Sequence, residues 1–164
     1  GAGALPDLVQ DPRCLDFLHD CGLVFQIGGV VQSTGPGLVW VAPNGSRAGE
    51  AATIACGTAV PLEPGLGVSI RLRPEDVILA KPPCTAELSL TNQLPGVITH
   101  LTRGAARTLV TIDCGFEAPI LAEVTERSVE RLSLDVGSSV LAMMKAQALR
   151  VRPQTSSAPF ELRP

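Results

Sequence analysis

Missing from this chain is any glycine-rich loop with a lysine that could cradle a nucleotide phosphate, so these residues do not hydrolyse nucleotides. G-x-S-x-G, H-E-x-x-H and readable pairs of carboxylates are absent too. The two histidines, His19 and His100, sit in unrelated contexts. The chain is therefore not read as an enzyme. No apolar window of about 18 residues is free of charge and proline, so no membrane-spanning helix is expected. No basic region and long apolar run open the chain, so no signal peptide is expected. The formal net charge is −3, which speaks against nonspecific nucleic-acid binding. Five cysteines are present without a C-x-x-C, and they read as free, small hydrophobes in a reducing cytosol. A metal site from Cys14, His19 and Cys21 is conceivable, but no second ligand pair has zinc spacing.

Aromatics are scarce as well, at 3% with no tyrosine and one tryptophan. Valine, threonine and glycine fill the middle instead, which argues for many short strands and turns. The length of 164 residues suits one ordinary domain or two small ones and is enough to bury a core. Charge is uneven. Residues 1–80 carry 4 basic and 8 acidic groups, and residues 81–164 carry 9 and 8. An anion site is more comfortable in the second half.

Residues 1–21 read as a helical link broken at Pro12: Leu8, Val9, Leu15, Phe17 and Leu18 line one face, with Asp11 as N-cap and Pro12 at the first helical position. From Gly22 the pattern is β, with strands expected over 22–31, 38–42, 51–56 and 68–80. KPPCTAE at 81–87 is a linker, and the pattern then restarts. Strands are expected over 94–103, 107–114, 116–124 and 139–151, with a short helix from Thr125 that stops at Gly137. The tail from residue 153 reads as loose. Placing Gly65 on Gly137 puts Val68 on Val140, Leu72 on Met144, Arg73 on Lys145, Val77 on Leu149 and Leu79 on Val151. This is read as an internal repeat whose first copy lacks the helix. The expected fold is all-β: tandem, small OB-like barrels with one short helix, over residues 22–83 and 84–152.

One stretch, Ile120 to Val151, concentrates groups suited to a small oxyanion. Thr125 and Ser128 stand at a helix start, and Lys145 is the only lysine after Lys81. Ser89, Thr91 and Asn92 stand where the second repeat begins. Each has an ordinary reading too: helix capping for Thr125, a strand end for Lys145, a turn for SLTNQLPG.

Taken together these residues resemble the molybdate-binding Mop (TOBE) module. The matching phrases are S-x-x-N-x-L-P-G at 89–96, V-T-x-x-S at 124–128, L-x-L-x-x-G at 132–137 and V-x-A-x-x-K-A at 140–146. RLRPEDVILA at 71–80 is similar to the phrase that ends a degenerate first lobe in the regulatory tail of molybdate-transporter ATPases. The resemblance implies that Ser89, Thr91, Asn92, Thr125, Ser128, Lys145 and Ala146 surround a molybdate or tungstate ion. It implies a second copy of the chain as partner, a nucleotide-binding domain and permease of an ABC transporter beyond it, and no nucleic acid. It places the chain in the cytoplasm, or at the inner face of the membrane through a transporter. Two further readings are a ligand-free dimerisation module and a free-standing molybdate store. Where related binding modules carry an arginine, this chain has Thr91, which removes a bidentate cation.

Overall fold

The computed structural model describes residues 5–47, 52–154 and 160–162. The first repeat gives four strands to the first sheet, in chain order: β1 (Leu23–Gly35), β2 (Leu38–Pro43), β3 (Ile54–Gly57) and β4 (Gly67–Leu72). In β2 and β4 the alternation of apolar residues selects the inner face, burying Val39, Val41, Val68 and Ile70 completely. The turn Pro74–Asp76 follows, then β5 (Ile78–Ala80). The second sheet repeats the plan with β6 (Asn92–Arg103), β7 (Thr108–Asp113), β8 (Ile120–Val124), helix α3 (Glu126–Leu132) and β9 (Ser139–Met144). A second short turn, Ala146–Ala148, leads to β10 (Arg150–Pro153), and β11 is Phe160–Leu162.

The repeat holds at the level of single bonds. β1 has a bulge between Val31 and Ser33, and β6 has one between Ile98 and His100. At the first bulge Gly65 donates its N–H to the carbonyl of Val31 at 2.8 Å. At the second Gly137 donates to Ile98 at 2.8 Å. Gly65 and Gly137 have φ of 90° and 88°, a backbone state that L side chains rarely adopt.

The two sheets exchange strands. The order is β10-β4-β1-β2-β3 in one, with β11 also on β1, and β5-β9-β6-β7-β8 in the other. Thus β5, which follows β4 in sequence, pairs with β9 (Ile78 opposite Met143), whereas β10 returns to β4 (Arg150 opposite Arg71). The expected division between residues 83 and 84 does not separate the sheets. Neither strand path closes on itself within its own repeat. Each is a curled half-barrel whose edge is covered by the other repeat's last strand, which also shields that edge from foreign pairing. Buried apolar side chains of both sheets form one cluster, and Leu15 and Leu18 join it from the N-terminal segment.

Three local expectations are corrected. The break at Pro12 is present, between two short helices, α1 (Leu5–Leu8) and α2 (Leu15–Asp20), but the capping and the buried face differ from expectation. Asp11 accepts the backbone N–H of Arg13 at 2.9 Å in the turn between them and caps no helix, and Pro12 lies in that turn. Phe17 leaves the buried face and is 62% exposed. Helix α3 ends at Ser133, which takes the left-handed conformation (φ 48°), and Gly137 instead shapes the turn into β9. The tail is not loose throughout: Gln154 donates its N–H to Gly67 at 3.0 Å, and Phe160–Leu162 pairs with Leu23–Phe25.

Candidate functional site

Thr125 leaves β8 in an extended conformation and becomes the N-cap of α3. Its Oγ1 accepts the N–H of Ser128 at 3.2 Å, and the two hydroxyl oxygens lie 3.1 Å apart. Thr125 is exposed and Ser128 half-buried at the first turn of the helix. Between them Glu126 turns toward the sheet. Arg103 Nε donates to it at 3.0 Å and Thr108 Oγ1 at 2.9 Å, and these bonds, that of Arg103 foremost, hold its carboxyl below the ordinary value. The helix start thus presents two linked hydroxyls beside an acid whose charge Arg103 already matches.

Lys145 follows β9 with an exposed side chain. Ala146 begins the next turn and is 1% exposed. This turn packs on β3 of the first sheet: a Cβ on Gly57 would stand 3.3 Å from Gln147 Cα and 3.4 Å from the Ala146 carbonyl oxygen. Asn92 pairs in register with Met144, the neighbour of Lys145. Ser89 and Thr91 are exposed in the segment leading into β6.

The structure therefore gathers the expected residues into two groups and does not bring the groups together. Asn92, which opens β6, is level with Met144. Arg103, which closes it, pairs with Thr108, itself opposite Val124, the neighbour of Thr125. Eleven residue steps of strand separate those ends, roughly 35 Å along the chain. Ser89, Thr91, Asn92, Lys145 and Ala146 lie at one end of β6, with Thr125 and Ser128 at the other.

Asn92 has a role of its own. Its Oδ1 accepts the N–H of Ala55 at 2.8 Å, and its Nδ2 donates to the Ala55 carbonyl at 2.8 Å. The carboxamide, 3% exposed, acts as one more strand residue against β3 and ties the sheets together. Both of its polar atoms are committed to Ala55, and a turn-like S-x-x-N phrase gives no sign of a partner 37 residues upstream.

The first repeat supplies counterparts with weaker chemistry. Where β3 ends, Thr58 donates its hydroxyl to the Val60 carbonyl at 2.6 Å, and no helix follows. Where Lys145 and Ala146 stand in the second copy, the first has Arg73 and Pro74, and proline has no N–H to offer an anion. The turn Pro74–Asp76 packs against β8 as Ala146–Ala148 packs against β3.

Near that turn His19 Nδ1 lies 2.9 Å from Glu123 Oε2, and Glu75 joins them, the candidate ligand atoms all within 4.8 Å of one another. His19 therefore faces carboxylates rather than Cys14 and Cys21. Arg107 Nε sits 3.0 Å from Glu123 Oε1 and supplies the balancing charge. Burial pushes the thiols of Cys56 and Cys114 up to about 12, so neither is a ready nucleophile or ligand.

Comparison with known proteins gives the family of the second repeat. Residues 88–151 match the TOBE domain. The molybdenum import ATP-binding protein ModC of Mesorhizobium japonicum is 33% identical over 119 residues, covering 72% of this chain and 30% of that protein. ModC of Granulibacter bethesdensis is 37% identical over 164 residues, covering 92% and 41%. The molybdenum transport protein ModE of Herbaspirillum seropedicae is 29% identical over 134 residues, covering 79% and 50%. The chain spans half or less of the length of each. Among solved structures, the cytoplasmic molybdate-binding protein ModG, in a form with molybdate bound, superposes with a TM-score of 0.66 at 24% identity, over 80% of this chain and 95% of that one. This likeness establishes the tandem OB-like fold. The second half of the chain, residues 88–151, is a TOBE domain.

Proposed function

We propose that this chain is a molybdate-binding regulatory module that completes its oxyanion site between two copies. Thr125 and Ser128 of one copy face Ser89, Thr91, Lys145 and the backbone N–H of Ala146 of the other. The observation that carries this reading is the separation of the two groups to opposite ends of β6, which leaves one copy with two unlike half-sites. Hydroxyls at a helix start, one ammonium and backbone N–H groups are the donors a tetrahedral dianion needs. The names of the ModC, ModE and ModG relatives support molybdate as that dianion. A TOBE domain is a binding module, so the chain performs no chemistry on the ion. Its effect comes from stabilising one arrangement of the dimer over another. In a cytoplasmic transporter ATPase that effect would reduce import once the oxyanion is plentiful.

Mixing two weakened variants tests this. By isothermal titration with molybdate, tungstate and sulfate, Lys145→Ala and the double variant Thr125→Ala/Ser128→Ala each bind molybdate roughly tenfold to a hundredfold more weakly, the effect of one lost charged contact or more. An exchanged mixture of the two regains one intact site per mixed dimer. A mixture that stays as weak as its components refutes the shared site. No heat from wild type at millimolar molybdate refutes oxyanion binding altogether.

The 3.1 Å contact between Thr125 and Ser128 supports a second reading, in which both hydroxyls serve α3 alone and the chain only joins subunits. In that case Lys145→Ala dimerises normally and there is no molybdate affinity to lose.

A further inference from the structure

A tetrahedral dianion brings two negative charges to a site that two copies share, and Lys145 answers one of them. Thr125, Ser128, Ser89 and Thr91 offer hydroxyls only. We infer that Arg127 is the second cation, entering the site from the copy that supplies Thr125 and Ser128; this rests on the oxyanion reading and adds a residue to that site.

Arg127 lies between the two hydroxyl residues in the run Thr125, Glu126, Arg127, Ser128, as the second residue of α3. It is exposed, and no carboxylate among the described residues pairs with it. The neighbouring acids are turned elsewhere. Glu126 takes Arg103 Nε on one oxygen at 3.0 Å and Thr108 Oγ1 on the other at 2.9 Å. Glu123 faces Arg107 through Oε1 and His19 through Oε2. Glu130, three residues on, forms no ion pair with Arg127. Arg103 thus acts as a positioning residue: by holding Glu126 on the sheet it leaves the Arg127 guanidinium open to a ligand.

Folding does not ask for an arginine there. The start of a helix carries partial positive charge, so a cation in the first turn is opposed, whereas one in the last turn is favoured. The other arginine of α3, Arg131, stands in that favoured last turn. The first repeat has Val60 two residues after Thr58, and no helix follows. A cation set against the local field without a counter-charge is the kind of broken local rule that marks a functional group. Helical Cα–Cβ bonds tilt toward the N-terminus, so Arg127 leans toward Thr125 and not away along the helix. Its guanidinium fork matches two oxygens of one anion. With Lys145 of the facing copy, two cations balance the dianion, which favours it over a singly charged ion of the same shape.

Titration with molybdate and with perrhenate, a tetrahedral monoanion, tests the assignment. Arg127→Ala weakens molybdate roughly tenfold or more, the effect of one charge-assisted contact, and weakens perrhenate less. Arg127→Lys keeps the charge and recovers part of the loss. Arg131→Ala, removing an exposed cation about one turn farther along α3, changes neither affinity. The Tm of Arg127→Ala is not lowered, because the fold gives that side chain no partner. Exchange between copies locates the residue: Arg127→Ala mixed with Lys145→Ala regains one intact site per mixed dimer, and mixed with Thr125→Ala/Ser128→Ala regains none. Where wild type binds molybdate, three results overturn the inference and leave the oxyanion reading standing: undiminished affinity in Arg127→Ala, an equal loss in Arg131→Ala, or equal fold losses for the two anions. No heat from wild type at millimolar molybdate overturns both.

Discussion

Replacing Asn92 by alanine should be among the most damaging single changes in the chain that leave the apolar core untouched. The variant loses two hydrogen bonds of 2.8 Å and strands the N–H and carbonyl of Ala55, a residue 3% exposed. Each buried group left without a partner costs about 1–3 kcal/mol, so the total is about 2–6 kcal/mol. For a domain of this size, 1 kcal/mol lowers Tm by roughly 2–4 °C, and a central loss of 4 kcal/mol lowers it by roughly 8–16 °C. Hydrogen exchange should localise the effect: the Ala55 amide loses protection while the centre of β7 keeps its own. Asn92→Asp separates the two bonds. The carboxylate can still accept from the Ala55 N–H, but its second oxygen then faces the Ala55 carbonyl. Only the protonated acid can donate there, so its folded pKa must lie above its unfolded value. A raised group gives its stabilisation below the unfolded pKa and loses it as pH rises through the folded pKa. Asn92→Asp should thus approach wild-type stability in acid and fall away toward neutrality, whereas Asn92→Ala is poor throughout. A Tm within roughly 2 °C of wild type for Asn92→Ala, with Ala55 still protected, would show that the carboxamide does not tie the sheets.

Other consequences are simpler to measure. Burial, then Glu75, raises the carboxyl of Asp76, so its ionisation opposes folding above the unfolded pKa. Asp76→Asn should raise Tm at neutral pH by calorimetry, with the gain shrinking as pH falls into the carboxylate range. Iodoacetamide at neutral pH should modify Cys56 and Cys114 far more slowly in the folded chain than in urea, because Cys56 is buried and Cys114 half-buried, and burial pushes both thiols up to about 12. Peptide mapping would contradict this if either were alkylated as fast as in urea.

The strands were legible because their apolar alternation is local, and the repeat was legible because Gly65 and Gly137 each mark a turn with positive φ. The exchange of β5 and β10 was not. ILA and RVRP are short segments, and nothing in them states which sheet they join. α3 was foreseen from Thr125, yet its end was misplaced, because Ser133 adopts the left-handed state that glycine usually supplies. The candidate ligands came from motif phrases, and position along the chain hid that β6 holds them apart. Neither the turn reading nor the ligand reading of Asn92 points to Ala55, because a bond to backbone 37 residues upstream leaves no periodic trace.

The reciprocal loan of β5 and β10 means that neither repeat is a structural unit in its own right. Cut between residues 83 and 84, each half would keep a donor strand with no acceptor and an acceptor edge with no donor. Two copies of one such half satisfy both needs by trading strands about a twofold axis. The covalent chain is in this sense a two-subunit assembly joined end to end. Its two halves differ at matching turns: the second carries Thr125, Ser128 and Lys145 around its helix and turn, where the first has Thr58, no helix and Arg73. Each still depends on the other's final strand to fold.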